Sequence, residues 1–376
     1  MTTVALLLGA LSAALFLWSY LLYPWLLRGL ARGGAQSLPA PASGLSAEVL
    51  VSAADEERVI AERVRNLLAQ ETAGPCRVRI GCDGCADRTA QRAREAGNGR
   101  VEVMEFPERR GKAAVLNALV RASGADVIVF TDANTLFERG AVRRLLEPFG
   151  DPRVGAVCGR LLLGTEEGAP ATPEAAFWDQ ETGLKEQEGR LGVCLGANGA
   201  IYAARRDRIE PLPVDSSMDD FLIPARIARR GLRVVFAGDA VAREPAPESV
   251  RAEIARRFRI GVGAGQVLRR ETWLFGFWRH PRLSLAFLSR KAARWMAPVV
   301  ALAALLAGLA SPLLFPAAAL ALAFALALFL LARERPLPSG LFGKLCYFCA
   351  MNLALAAGVA AGLAGASRAA WDRAPR

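Results

Sequence analysis

Between residues 48 and 134 the chain alternates four times between a short apolar run and a helix-like stretch. That alternation leaves few folds open. EVLVSAA (Glu48 to Ala54) reads as a strand, and DEERVIAERVRNLLAQ (Asp55 to Gln70) has helical spacing with an acidic start. VRIGCDG (Val78 to Gly84) and VEVMEF read as further strands, separated by DRTAQRAREAG, a helix closed by Gly97. GKAAVLNALVRASG is again helical with a glycine stop, and ADVIVFTDAN is a fourth strand. Strands that alternate with helices in this way form a parallel α/β sheet.

In such sheets ligands lie across the carboxyl ends of the strands. Residues Ala53 to Glu57, Asp83 and Asp132 therefore line one edge. Neither G-x-G-x-x-G nor G-x-x-x-x-G-K-[ST] follows any of these strands, which speaks against a dinucleotide or P-loop site. Acidic strand ends without a glycine-rich phosphate loop suit a diphosphate bridged by a divalent cation, because the ion supplies the missing positive charge.

Hydrophobic residues make up 53% of the 376-residue chain, and the excess lies in the first 30 residues and from about residue 294 onward. VALLLGALSAALFLWSYLLYPWLL (Val4 to Leu27) carries no charge and is long enough to cross a bilayer, with Trp18, Tyr20, Tyr23 and Trp25 crowding its far end. A signal peptide would need a basic start and a shorter apolar core, so a retained anchor is the expectation. Trp295 to Leu331 is too long for one span, and Ser311-Pro312 divides it into a helical hairpin. A further span follows the charged break Arg333-Glu334-Arg335-Pro336, from about Leu345 to Leu363. The expected organisation is an anchor at 1–30, a linker at 31–45, the α/β domain at 46–270, an amphipathic interface segment at 271–294, and about three spans in 295–376. Arg28 and Arg32 after the first span place the middle of the chain in the cytoplasm, whereas Arg368, Arg373 and Arg376 run against that scheme. The localisation expected is a multi-pass inner-membrane protein with a cytoplasmic catalytic domain.

The net charge of +11 fits anionic headgroups and phosphorylated substrates in a membrane-anchored chain, and no nucleic-acid partner is expected. The basic stretch around Arg290, Lys291 and Arg294 reads as an amphipathic approach to the bilayer. Two CxxC pairs, Cys82-Cys85 and Cys346-Cys349, are too far apart for a zinc ribbon, and the second falls inside a span; reduced thiols are expected.

Seven ordered segments resemble the membrane-bound family 2 glycosyltransferases, which have the GT-A fold. They cover about residues 46–265. VSAADEERVI resembles the family's opening strand and Asn-Glu-Glu turn, with Asp55 in place of Asn, and GCDGCADRT resembles Asp-Gly-Ser-x-Asp-x-Thr, with Cys85 in place of Ser. RRGKAAVLNALV resembles Gly-Lys-x-x-x-x-Asn, FTDANTLF occupies the Asp-x-Asp slot, and GANGAIYAARR resembles the acceptor-side glycine segment. SMDDFLIPARIARRG resembles the Glu-Asp-x-x-Leu helix, and RRFRIGVGAGQ the arginine-rich stretch after it.

The resemblance implies a mostly parallel α/β sheet flanked by helices. It also implies an inverting transfer from a nucleoside diphosphate-sugar, with UDP as the expected carrier, to a lipid-linked or envelope glycan acceptor. Asp83 would read the base or ribose, where the residue alone could equally cap a helix, and Ala53, Asp55 and Glu56 would flank the nucleoside. Lys112 would hold the diphosphate, where the residue alone could be a solvated surface lysine. Asp132 and Asn134 would hold Mg²⁺ or Mn²⁺. Asp220 would be the catalytic base and Asp219 its acidic neighbour, although helix-start acids are also favoured by the macrodipole. Arg256 and Arg259 would hold the leaving diphosphate. Processive synthases carry Gln-x-x-Arg-Trp at this place; here Arg256-Arg257-Phe258-Arg259-Ile260 lacks the Trp. A processive synthase and a catalytically silent scaffold, the latter favoured by Asp55 and Asn134, are the alternatives.

Overall fold

A computed structural model describes residues 1–32, 44–72, 74–164, 173–245, 249–334 and 340–366. Most of the expected linker, Arg335-Pro336 of the charged break, and the terminal Arg368, Arg373 and Arg376 lie outside the described residues. The chain divides into an α/β unit, Leu27–Ala246, and a helical unit built from Met1–Leu26 and Pro247–Ser367.

The α/β unit is built on one eight-stranded sheet. Its strands are β1 (Ala47–Ala53), β2 (Cys76–Asp83), β3 (Val101–Phe106), β4 (Val127–Asp132), β5 (Leu136–Phe137), β6 (Val154–Leu163), β7 (Tyr202–Arg205) and β8 (Arg233–Glu244), in the order β3-β2-β1-β4-β7-β6-β8-β5. The four strands read from the sequence form the parallel half. Their register pairs Ala53 with Cys82, Ser52 with Asp132, and Asp83 with Phe106, so the three strand ends sit level along one edge. Val49, Val51, Ile80, Val127 and Val129 are almost wholly buried, as expected for strands covered on both faces.

Beyond β4 the sheet changes direction, which the local pattern did not reveal. β7 pairs antiparallel with β4 and with β6, and β8 returns parallel to β6. The β4–β7 register sets Tyr202 opposite Phe130, and the two rings stack with centroids 4.6 Å apart. The fold is thus the α/β, mostly parallel, GT-A-type sheet that the resemblance implies.

Among the described residues, four helices are long and apolar enough to cross a membrane: Thr2–Ala31, Pro281–Leu309, Phe315–Arg333 and Phe342–Leu363. The helix Val250–Arg270, which the sequence reading joined to the α/β domain, belongs to this unit. Its Gly261 and Gly265 lie against Gly358 and Gly362 of the helix Leu341–Leu363. A Cβ added at Gly358 would fall 2.2 Å from the Phe258 carbonyl oxygen, and one at Gly261 2.6 Å from that of Leu355. Glycines four apart on both helices let the backbones touch, the small-residue packing used between membrane helices.

The basic stretch expected at the interface is instead continuous with a span. Helix Pro281–Ala286 runs through a π turn, Phe287–Ala292, into helix Ala293–Leu309. Arg290 is fully buried, and the Arg294 guanidinium sits 4.6 Å from the centre of the Tyr20 ring. Contacts with the first helix, absent from any local pattern, take these cations inward. All seven cysteines are free thiols.

Candidate active site

The site grows from the loops that leave the carboxyl ends of the parallel strands. After β1 the chain turns through Asp55, whose φ of +54° is left-handed. Asn and Asp are the side chains that tolerate this region best, so Asp in the family's Asn position preserves the turn. One Asp55 oxygen accepts from the Ala86 N–H at 2.8 Å, and the other is paired with Arg109. Glu56 is buried, and its N–H donates to the Thr89 hydroxyl at 2.7 Å. The Ala53 carbonyl receives the Cys85 thiol at 3.6 Å.

Asp83, at the end of β2, is only 3% exposed. It does not cap the following helix, Thr89–Gly97; just before that helix the Asp87 carboxylate accepts from the Thr89 N–H at 3.0 Å and the Glu57 N–H at 3.1 Å. The Asp83 oxygens accept from the N–H groups of Arg110 (2.6 Å) and Gly111 (2.8 Å). The aspartate thereby fastens the loop that leads into helix Lys112–Ala122. Gly84 allows this closure: its φ is +53°, and a Cβ there would meet the Arg109 nitrogen at 2.6 Å.

Lys112 opens that helix and is not a solvated lysine. Its ammonium lies 2.9 Å from Asp132 Oδ1 and 3.2 Å from Asp219 Oδ1, with the side chain 14% exposed. Burial pulls its pKa down, but Asp132, Asp219 and Asp220 together raise it well above the ordinary lysine value, so it stays charged. The second oxygen of Asp219 accepts from the Tyr202 hydroxyl at 2.9 Å. Burial first, and Asp219 next, hold the phenol far above its usual pKa, so it remains a donor. The acids at the start of helix Asp219–Arg229 thus do more than match its dipole.

Asp220 comes into the same space through a glycine. A Cβ built on Gly199 would lie 3.7 Å from Asp132 Oδ2 and 3.9 Å from Asp220 Oδ2. The bare glycine face leaves room in front of both carboxylates, and the Ala197 N–H holds the loop to the Asp220 carbonyl at 2.8 Å. Asn134 occupies the turn just after Asp132 and is half-buried. The structure therefore gathers Lys112, Asp132, Asp219 and Asp220, with Asp83 fixing the loop before Lys112. Arg256 and Arg259 lie on helix Val250–Arg270 of the other unit, where Arg256 pairs with Glu253 at 3.3 Å.

The donor set suits a hard divalent cation. Asp132 and Asn134 offer oxygen ligands, and an ammonium already sits between Asp132 and Asp219, as expected of a pocket built for positive charge. A second cluster, Asp55, Cys85 and Asp87, brings ligand atoms within 4.8 Å of one another. Its Asp55 is engaged by Arg109 and its Asp87 by backbone donors, and a thiol is a poor partner for Mg²⁺ or Mn²⁺. The Asp132 end is the better fit.

Two of the site's residues, Gly199 and Tyr202, are flagged only as part of the acceptor-side segment GANGAIYAARR, with no role for either side chain, and a third carries no local signal at all. Arg63 sits on the amphipathic helix Ile60–Leu68, yet it is 1% exposed and donates to Thr131 Oγ1 at 2.6 Å, directly beside Asp132.

An N-acetylglucosaminyltransferase of Azorhizobium caulinodans is 23% identical over 221 residues, 54% of this chain and 56% of the relative. A poly-beta-1,6-N-acetyl-D-glucosamine synthase of Staphylococcus aureus is 23% identical over 230 residues, 59% of this chain and 55% of the relative. The chain spans about half the length of the named relatives it matches. Among solved structures, the mannosyltransferase PcManGT from Pyrobaculum calidifontis, in complex with GDP-Man and Mn²⁺, superimposes with a TM-score of 0.67 at 25% identity, covering 95% of this chain and 99% of that one. The sequence model described as "Glycosyltransferase like family 2" matches residues 46–263. More than half of the chain falls within that match, and the chain belongs to this family of glycosyltransferases.

Proposed function

We propose that the protein is an inverting glycosyltransferase that moves a sugar from a nucleoside diphosphate-sugar to a lipid-linked or envelope glycan acceptor. It works at the cytoplasmic face of the inner membrane, in which its four apolar helices are embedded. The observation that carries this reading is the meeting of Asp132, Lys112 and Asp219 at the strand ends, with Asp220 facing Asp132 across Gly199.

Asp83 and the Asp55–Glu56 turn flank the nucleoside, Lys112 neutralises the diphosphate, and Asp132 with Asn134 holds a divalent cation. When bound, the cation offsets charge on the departing diphosphate. Asp220 accepts the proton of the acceptor hydroxyl while that oxygen bonds to the anomeric carbon. The bond from that carbon to the diphosphate oxygen breaks, and the nucleoside diphosphate leaves. Attack opposite the leaving group inverts the anomeric centre.

The expected donor carries UDP; a GDP-linked donor is the second candidate, because the mannosyltransferase of similar structure was solved with GDP-Man. A processive synthase is the alternative suggested by the poly-N-acetylglucosamine relative, and Ile260 in place of Trp argues against it. A silent scaffold loses support from Asp55, since its left-handed turn accepts Asp and Asn alike.

Purified protein in nanodiscs, given a panel of UDP- and GDP-sugars with Mn²⁺ or Mg²⁺, tests the proposal through released nucleoside diphosphate. Turnover that Asp220→Asn abolishes supports it. No turnover and no donor binding across the panel sinks it, and a ladder of products in place of single addition would favour the synthase.

A further inference from the structure

Arg63 is the largest of the fully buried side chains in the α/β unit, and it carries a charge. Its guanidinium carbon lies over the Phe137 ring, 4.2 Å from the centroid. Nη1 donates to Asn66 Oδ1 and Nη2 to Thr131 Oγ1, each at 2.6 Å. Among the described residues Nε has no acceptor, and no carboxylate lies within ion-pair distance. Every direct partner of this cation is neutral.

Such burial is unfavourable, and an apolar residue of similar volume would often be the more stable choice. The anions whose field reaches Arg63 are Asp132 and Glu244. Asp132 gives its contact ion pair to Lys112, and Glu244 accepts from the Thr135 hydroxyl at 2.7 Å. Arg63 therefore acts on the Asp132 end from below, without occupying a ligand position.

Its hydrogen bonds also bracket that segment. Thr131 Oγ1 accepts from Arg63 and donates to the Ala200 carbonyl at 2.7 Å, tying β4 to the residue after Gly199. One turn along the helix, the Asn66 amide donates to the Phe137 carbonyl and its oxygen accepts from the Phe137 N–H, both at 2.9 Å. The clamp grips residues 131 and 137 and leaves 132–136, with Asp132 and Asn134, between them.

We propose that Arg63 is a positioning residue that supplies a fixed positive charge beneath the Asp132 segment and so favours a bound diphosphate over a bare cation. This rests on the reading of the site as one for a cation and a nucleoside diphosphate. A buried positive charge attracts the diphosphate and repels the metal ion. Deleting it moves the two affinities in opposite directions, whereas mere loss of shape would weaken both.

The test uses the full chain in nanodiscs. Mn²⁺ binding alone is followed by the paramagnetic resonance of free Mn²⁺, and binding of UDP and of GDP at saturating Mn²⁺ by calorimetry. For Arg63→Met the nucleoside diphosphate Kd is expected to rise about tenfold, the scale of a unit charge acting over roughly 10 Å at an effective dielectric of about 20. Mn²⁺ alone should bind equally well or more tightly. Arg63→Lys, which keeps the charge, should return the diphosphate Kd to within about threefold of wild type. Arg63→Gln replaces the Met variant if thermal unfolding shows the latter to be misfolded. A joint loss of Mn²⁺ and diphosphate affinity, no change in either, or an equal loss in the Lys and Met variants overturns the proposal. Failure of the wild type to bind either diphosphate would instead overturn the reading of the site.

Discussion

Replacing Lys112 by Met removes the ammonium that Asp132 and Asp219 share, and the structure sets the size of the consequence. At 2.9 and 3.2 Å, with an effective dielectric of about 20, each contact has a gross Coulomb energy of roughly 5 kcal/mol. Desolvation offsets most of that gain, so the net loss depends on what the variant leaves behind. It leaves two carboxylates without their counter-charge, one on a side chain only 6% exposed. Breaking a buried pair from one side costs about 3–5 kcal/mol. Asp132 is 26% exposed and water can relax it, which places the expected loss near the lower end, about 3 kcal/mol. For a unit of this size that corresponds to a fall of about 6–12 °C in Tm.

The pH dependence has a definite sign. The pKa of Lys112 is raised, so its stabilisation is complete below the unfolded lysine value near 10.5 and is lost only as pH rises through the higher folded value. Between pH 5 and pH 8 the wild-type contribution of Lys112 is therefore constant. Adding Asp219→Asn should recover most of the loss, because the amide oxygen still accepts from Tyr202. Thermal unfolding of the full-length protein, followed by tryptophan fluorescence at pH 7.5, reads both outcomes. An unchanged midpoint in Lys112→Met, or a double variant no more stable than the single one, would refute the reasoning.

Asp220→Asn should lower transfer by about 10²–10⁴-fold, the range for a general base, while calorimetric donor binding stays within about twofold. Gly199→Ala should fold normally, since its methyl would make only ordinary contacts at 3.7 and 3.9 Å. It should nevertheless lower turnover at least about tenfold by filling the space between Asp132 and Asp220; full activity would remove Gly199 from the site. The Cys82 thiol donates to Cys85 and lowers its pKa to about 7, so alkylation of Cys85 should rise through that pH, and Cys82→Ala should move the midpoint upward. A midpoint near 9 in the wild type would contradict the contact. Gly358→Val should disrupt the helical unit, because its Cβ would fall 2.2 Å from the Phe258 carbonyl oxygen, lowering Tm by several degrees while Gly9→Val, with nothing within 4 Å, does not.

The signals that were legible from sequence alone are local ones. Short continuous apolar runs such as VIVF, helical spacing such as ERVRNLLAQ, and uncharged stretches of about 20 residues each report on their own neighbourhood. They suffice for the parallel half of the sheet, for the apolar helices, and for acids at the strand ends. The ordered motifs extend that reading to Asp219 and Asp220, which lie far along the chain from Asp132. The antiparallel half escaped because β7 is four residues long and is defined by its partners, not by its own pattern.

What only the tertiary structure decided is where each charge goes. The sequence leaves Lys112 beside Arg109 and Arg110 with nothing to separate a surface lysine from a buried one. Folding carries it to Asp132 and Asp219, 20 and 107 positions away in the chain, while Arg109 goes to Asp55. Arg63 looks solvated on its helix and becomes a buried cation, and the basic run at Arg290 turns into the unit that contains the first helix. Helix Val250–Arg270 leaves the α/β unit because its glycines match those of Leu341–Leu363, nearly 100 residues later. These ion pairs and close backbone contacts depend on the three-dimensional meeting of distant residues, and no short window along the chain contains both partners.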